Sequence, residues 1–126
     1  MIPKFRAWKK INTQEMLNDV RAIDFDKRMI KIGYPLSRDT TRIDTESLDN
    51  VKLMQSTGLK DKNGVEIYEG DIVENIYKEI GFIKNCNDAL CFSRKERNFY
   101  LSGIGAGRPF KILGNIYENP ELLEGE

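Results

Sequence analysis

Histidine is absent from the 126 residues, and the two cysteines, Cys86 and Cys91, stand close together in NCNDALC. Without an imidazole the chain has no Ser-His-Asp or Cys-His catalytic unit. Two thiols also fall short of the four Cys or His ligands of a closed zinc site. In a reducing compartment such a pair is more often two free thiols than a bridge. Burial of Cys91 in an apolar strand would keep it protonated and inert. Asp61, Glu66, Glu69 and Asp71 could offer hard oxygen ligands to a cation. An EF-hand loop, however, places its glycine sixth and a bidentate Glu twelfth, whereas Asp61-Lys62-Asn63-Gly64 brings glycine fourth. Turn and strand-end roles therefore account better for these carboxylates. GIGAGRP, residues 103–109, superficially resembles a phosphate loop, but Pro109, Phe110 and Ile112 open a strand where a dinucleotide fingerprint needs a helix. What remains there is a backbone nest for an anion beside Arg108, or a plain connection. No cofactor and no metal are expected.

Two basic stretches interleaved with aromatics complete the candidates: KFRAWKK, residues 4–10, and SRKERNFY, residues 93–100. Small barrels bind nucleic acid through strand-borne aromatics that stack on bases, with Lys and Arg meeting phosphates. Arg94, Lys95, Arg97, Phe99 and Tyr100 are the nucleic-acid candidate set. Trp8 and Phe99 fit a core better than a stacking surface. Twenty Lys and Arg balance twenty Asp and Glu, so no net positive field announces a polyanionic partner. The distribution is uneven: residues 1–63 carry 13 basic and 9 acidic side chains, residues 64–126 carry 7 and 11. Opposed surface charge of this kind favours head-to-tail contact between copies.

The elements that must position these residues read mostly as short strands. With 40% hydrophobic and 32% charged residues the chain has the composition of one folded domain, 1–126. No stretch approaches the apolar length of a membrane span, and MIPKFRAWKK lacks the apolar region of a signal peptide, so a soluble, intracellular protein with no membrane partner is expected. KFRAW alternates as a first strand anchored by Trp8. Residues 14–25 fit either a helical stripe or a hairpin turned at Asp26-Lys27, with the hairpin preferred because MIKIGY follows. PLSRDTTRIDTESLDN, residues 35–50, is polar and reads as a loop with at most one helical turn. Val51, Leu53 and Gln55 alternate as a strand. Asn63 and Gly64 then supply a chain reversal and Glu69-Gly70-Asp71 a second one. Ile72, Val73, Ile76 and Tyr77 resume the apolar pattern. GFIKN, ALCFS, NFYLSG and PFKILGNIY are further strands, and ENPELL offers Asn119 as a cap and Pro120 at the first position of a short terminal helix.

KFRAW, LMQSTGLKDKNGVEIYEGDIV (residues 53–73) and GNIYENPELL (residues 114–123) together resemble the YopX family of phage and prophage proteins. The middle motif is long and residue-specific, and the three frame the whole chain, while the intervening stretches match weakly. Lys9 stands where family members often have an acidic residue after the tryptophan, and Ser56 where they often have an aromatic. Within these motifs Gly58, Asn63, Gly64, Tyr68, Gly70, Asp71, Gly114, Asn115, Tyr117 and Pro120 are the residues expected to hold the fold. The resemblance implies an α+β, mostly β fold, a small curved or barrel-like antiparallel sheet with short peripheral helices, in a bacterial cytoplasm. It implies no reaction and carries no catalytic residue.

The expected function is a non-enzymatic interaction module, binding a host or phage protein or forming a homo-oligomer. The alternative is a nucleic-acid-binding accessory factor in phage replication or recombination.

Overall fold

The computed structural model describes residues 4–101 and 110–124, and these divide into two compact units, 1–55 and 56–126. All strand pairing is antiparallel, and helical structure among the described residues is confined to short 3-10 turns. The 103–109 glycine segment, with Arg108, and Ile2 lie outside the described residues.

In the first unit β1 (Phe5–Lys9) pairs with β2 (Met16–Leu17) on one side and with the start of β6 (Val51–Lys60) on the other. The hairpin preferred from the sequence forms as β3 (Val20–Asp24) and β4 (Met29–Pro35), and β5 (Thr41–Ser47) adds to β4. Ala7, Leu17, Ile30, Ile32 and Val51 are buried together, with Val20, Ile23, Tyr34, Leu48 and Leu53 packed against them. Arg6 is buried as well, so the alternation of KFRAW is not a simple inside-outside split.

The loop expected over residues 35–50 is corrected here: residues 41–47 form β5, and Leu48–Asn50 form a 3-10 turn capped by Ser47. The cause is position in the sheet. β5 is the edge of the order β3-β4-β5, so its side chains are largely solvated and the strand needs no apolar stripe. Its hold on β4 comes from seven register pairs and from the Arg42 guanidinium, 5.1 Å from the centre of the Tyr34 ring.

In the second unit β6 continues to Lys60 and pairs with β7 (Glu66–Tyr68). Between Ser56 and Lys60 it spends three residues against one on β7, a bulge in which Gly58 takes a φ of 78°. The bulge is pinned from within: Ser56 Oγ accepts from the Gly58 amide, Thr57 Oγ1 accepts from that of Leu59, and Thr57 donates to the Ile67 carbonyl. β8 (Asp71–Glu74), β9 (Ile80–Cys86), β10 (Ala89–Arg94), β11 (Arg97–Tyr100) and β12 (Lys111–Asn115) form one curled sheet in the order β11-β10-β9-β8-β12. Its core gathers Ile67, Val73, Ile83, Phe92 and Phe110.

The acidic turn residues are spent on backbone. The Asp61 carboxylate, 2% exposed, accepts from the amides of Asn63 and Val65, both at 2.9 Å, and of Ile112 at 3.2 Å. It thereby closes the 61–65 reversal, where Gly64 has a φ of 84°, and ties it to β12. Asp71 accepts from the Tyr68 amide at 2.7 Å across the second reversal, where Gly70 has a φ of 90°. Glu66 takes a hydrogen bond from the Ser56 hydroxyl. These carboxylates do not converge, and no metal-holding group of three occurs among the described residues.

At the C-terminal motif, Pro120–Leu123 is a single 3-10 turn rather than an α-helix, and Asn119 does not cap it. The Asn119 side chain instead accepts from the Asn115 amide at 3.2 Å, and Asn115 Oδ1 accepts from the amides of Tyr117 and Glu118. Asn119 also sits where a Gly114 Cβ would project, its Cγ 2.7 Å from that position. Glycine is therefore required at 114 by close approach, and at 64 by its dihedral.

Candidate interaction site

The second unit carries an open apolar groove of about 330 Å³ lined by Asn75, Ile76, Tyr77, Glu79, Phe92, Phe99 and Phe110. Its floor is aromatic. Phe92 in β10 lies opposite Phe99 in β11, with ring centres 6.3 Å apart, and its centre is 5.3 Å from that of Phe110. Such tilted pairs within about 7 Å are favourable beyond their area. Gly81 of β9 makes the arrangement possible, because a Cβ there would meet the Phe92 ring at 2.8 Å and the Ser93 carbonyl.

One wall is a loop built by one residue. Asn75 Oδ1 accepts from the amides of Tyr77 at 2.9 Å and Glu79 at 3.0 Å, while its Nδ2 donates to the Glu79 carboxylate. The backbone closes the same loop through Asn75 N to Glu79 O and Lys78 N to Asn75 O. Ile76 and Tyr77 are consequently lifted out of the sheet and stand 67% and 75% exposed. Expected to resume the apolar pattern after Val73, the two instead sit in a turn, because β8 ends at Glu74 and Asn75 diverts the chain. The signal for this was an asparagine two and four residues ahead of the amides it caps.

β11 supplies the other wall and departs from expectation too. Phe99, read as a core candidate, is 49% exposed, since β11 is an edge strand with all four residues solvated. Tyr100 is equally exposed, but neighbouring strand residues point to opposite faces, so the two rings do not form one platform. Arg94 stands 3.5 Å from the Glu79 carboxylate and is mostly covered. Lys95 and Glu96 make the turn into β11 with φ values of 50° and 65°, and Arg97 returns directly opposite Arg94. The structure thus brings Arg94 and Phe99 to the groove and leaves Lys95, Arg97 and Tyr100 around the hairpin. The other basic stretch is not an open patch: Arg6 is buried, and Lys9 pairs with Glu46 at 3.5 Å.

Sequence reasoning singled out Phe99 and Arg94 but not Ile76, Tyr77, Phe92 or Phe110. The motif residues Gly58, Asn63, Gly64, Tyr68, Gly70, Asp71, Gly114, Asn115, Tyr117 and Pro120 sit in the bulge, the reversals and the C-terminal turn, and none lines the groove. The two thiols are free, Cys91 buried and Cys86 partly so. No described helix is long and apolar enough to cross a membrane.

Comparison with known proteins agrees with this architecture. No curated protein matches the chain. The crystal structure of protein EF1440 from Enterococcus faecalis is similar at 34% identity and a TM-score of 0.70, covering 98% of this chain and 99% of that one. A family profile described as YopX protein matches residues 4–124. With nearly the whole chain matched, the protein belongs to the YopX family.

Proposed function

We propose that the chain is a non-enzymatic, phage- or prophage-encoded interaction module acting in the bacterial cytoplasm, and that it binds an apolar side chain of a protein partner, or of a second copy, in the aromatic groove. The observation that carries this reading is the exposure of Ile76, Tyr77 and Phe99 around a floor of Phe92 and Phe110. Large apolar side chains that converge in solvent mark contact surfaces, whereas scattered ones mean nothing. The Asx-braced 75–79 loop presents them at little cost in ordering, as a preorganised binding site should. The groove is lined by rings and aliphatics, and the lone carboxylate at its rim, Glu79, is engaged by Asn75 and Arg94.

Size-exclusion chromatography with light scattering at low and high salt tests self-association: an oligomer that Tyr77→Ser and Phe99→Ser reduce to monomer supports it. A monomer at high protein concentration in every condition rules that branch out. The other branch is tested by co-purification from phage-infected cells, where a partner lost from both variants supports the groove and one retained by both removes it.

Exposed Arg97, Lys95 and Tyr100 beside Phe99 favour a second reading, a nucleic-acid-binding accessory factor. Against it stand the balanced charge, the pairing of Arg94 with Glu79 and the opposite facing of the two rings. Fluorescence anisotropy at low salt with single- and double-stranded probes decides it. Binding abolished by reversing charge at Lys95 and Arg97 would replace the protein-partner reading.

A further inference from the structure

The groove leaves two thiols unused. Cys86 ends β9 and Cys91 lies in β10, joined by the turn Asn87-Asp88, whose φ values of 52° and 67° are those of a type I′ hairpin. Cys86 pairs with Ala89, and Cys91 stands opposite Lys84. Alternation along each strand puts residues 84, 86, 89 and 91 on one face, so the two cysteines are diagonal cross-strand neighbours whose thiols interact. Their access differs. Cys91 is fully buried, with its Sγ 3.7 Å from the Ala89 carbonyl, while Cys86 keeps part of its surface in water. Burial, and then contact with Cys86, push the Cys91 thiol up, against a smaller opposing effect of Lys84. Solvent therefore reaches the pair through Cys86.

We propose that Cys86 and Cys91 are a reversible thiol-disulfide pair whose co-substrate is a low-molecular-weight disulfide such as oxidised glutathione. The Cys86 thiolate attacks one sulfur of that disulfide, forming a mixed disulfide and releasing one thiolate, which takes up the proton Cys86 gave to solvent. Cys91, its diagonal neighbour on the adjoining strand, then attacks Cys86 Sγ, forming the Cys86–Cys91 bond and expelling the second thiol with the Cys91 proton. Two protein thiols are oxidised and one small disulfide becomes two thiols. The bond closes a very short loop, and because loop-closure stabilisation rises with loop length it adds little to the fold. A disulfide so weakly supported is one that a thiol pool can reduce again, unlike a structural staple.

Intact-mass spectrometry of the full-length protein in glutathione buffers of varied oxidised-to-reduced ratio tests this. The wild type is expected to lose two hydrogens, with Cys86 and Cys91 linked in a non-reducing peptide map, and to regain them when reduced glutathione is in excess. Cys91→Ala should stall as a glutathione adduct on Cys86, and Cys86→Ala should stay unmodified while folded. A stable glutathione adduct on wild-type Cys86, a Cys86-linked dimer, no reaction, or a bond that resists excess reduced glutathione each overturns the proposal. Should Cys91→Ala fail to fold, the wild-type map decides alone.

Discussion

At the reversal of residues 61–65 the positive φ belongs to Gly64, and the buried Asp61 carboxylate accepts three backbone amides. At the reversal of residues 95–96 the positive φ values belong to a lysine and a glutamate. The first turn has the residue its backbone wants and a carboxylate engaged by three backbone amides. The second asks two side-chain-bearing residues to adopt a conformation that Asn-Gly would take more readily, and sets Arg94 opposite Arg97. The difference separates scaffold from surface. The first turn holds β12 and keeps the fold; the second leads into the exposed edge strand that walls the groove. Strain kept at such a place is an expected companion of a contact surface.

Removing Asp61 should have the largest effect. Asp61→Ala leaves three amides without their acceptor in a buried setting, and should cost about 3 kcal/mol or more in urea denaturation. A loss near zero would erase the contrast between the two turns. Next, Gly64→Val should cost about 1 to 2 kcal/mol through its positive φ alone.

The double change Lys95→Asn with Glu96→Gly should act in the opposite direction and stabilise by about 1 kcal/mol, because the turn residues then match the turn. If it destabilises, those side chains hold the hairpin in a way the comparison misses. Tyr77→Ser should change stability by no more than about 0.5 kcal/mol, being largely solvated, while abolishing the proposed association. Unfolding by this change would place Tyr77 with the scaffold.

A final measurement lies outside both turns, in the first unit. The Asn50 side-chain amide, followed by Lys9, holds the Glu46 carboxyl below its ordinary value of 4.5. A depressed folded value means the stabilisation is complete above the unfolded pKa and is lost as pH falls through the folded one. Glu46→Gln should therefore flatten the stability profile below about pH 4.5, by at most about 0.5 kcal/mol since the pair is partly solvated.

Legibility followed burial. The hairpin of β3 and β4, the strand at residues 51–55 and the reversals at Gly64 and Gly70 could be read because their side chains alternate or their turns demand glycine. β5 escaped because an edge strand carries polar residues on both faces and reads like a loop. Of the groove, Phe99 and Arg94 were legible as types in a basic aromatic run. Ile76 and Tyr77 were misplaced because a single asparagine, not a change of hydrophobicity, turned them outward.

The family, the β-rich class and the turn-closing residues within 58–73 and 114–123 could be read from the amino acids alone, because local dihedral demands and short-range hydrogen bonds are written in neighbouring residues. Only the folded sheet shows that Asp61 reaches Ile112 and that Phe92 lies over Gly81 beside Phe110. Those are facts of sheet order and register, which bring distant residues together at a spacing no local pattern encodes.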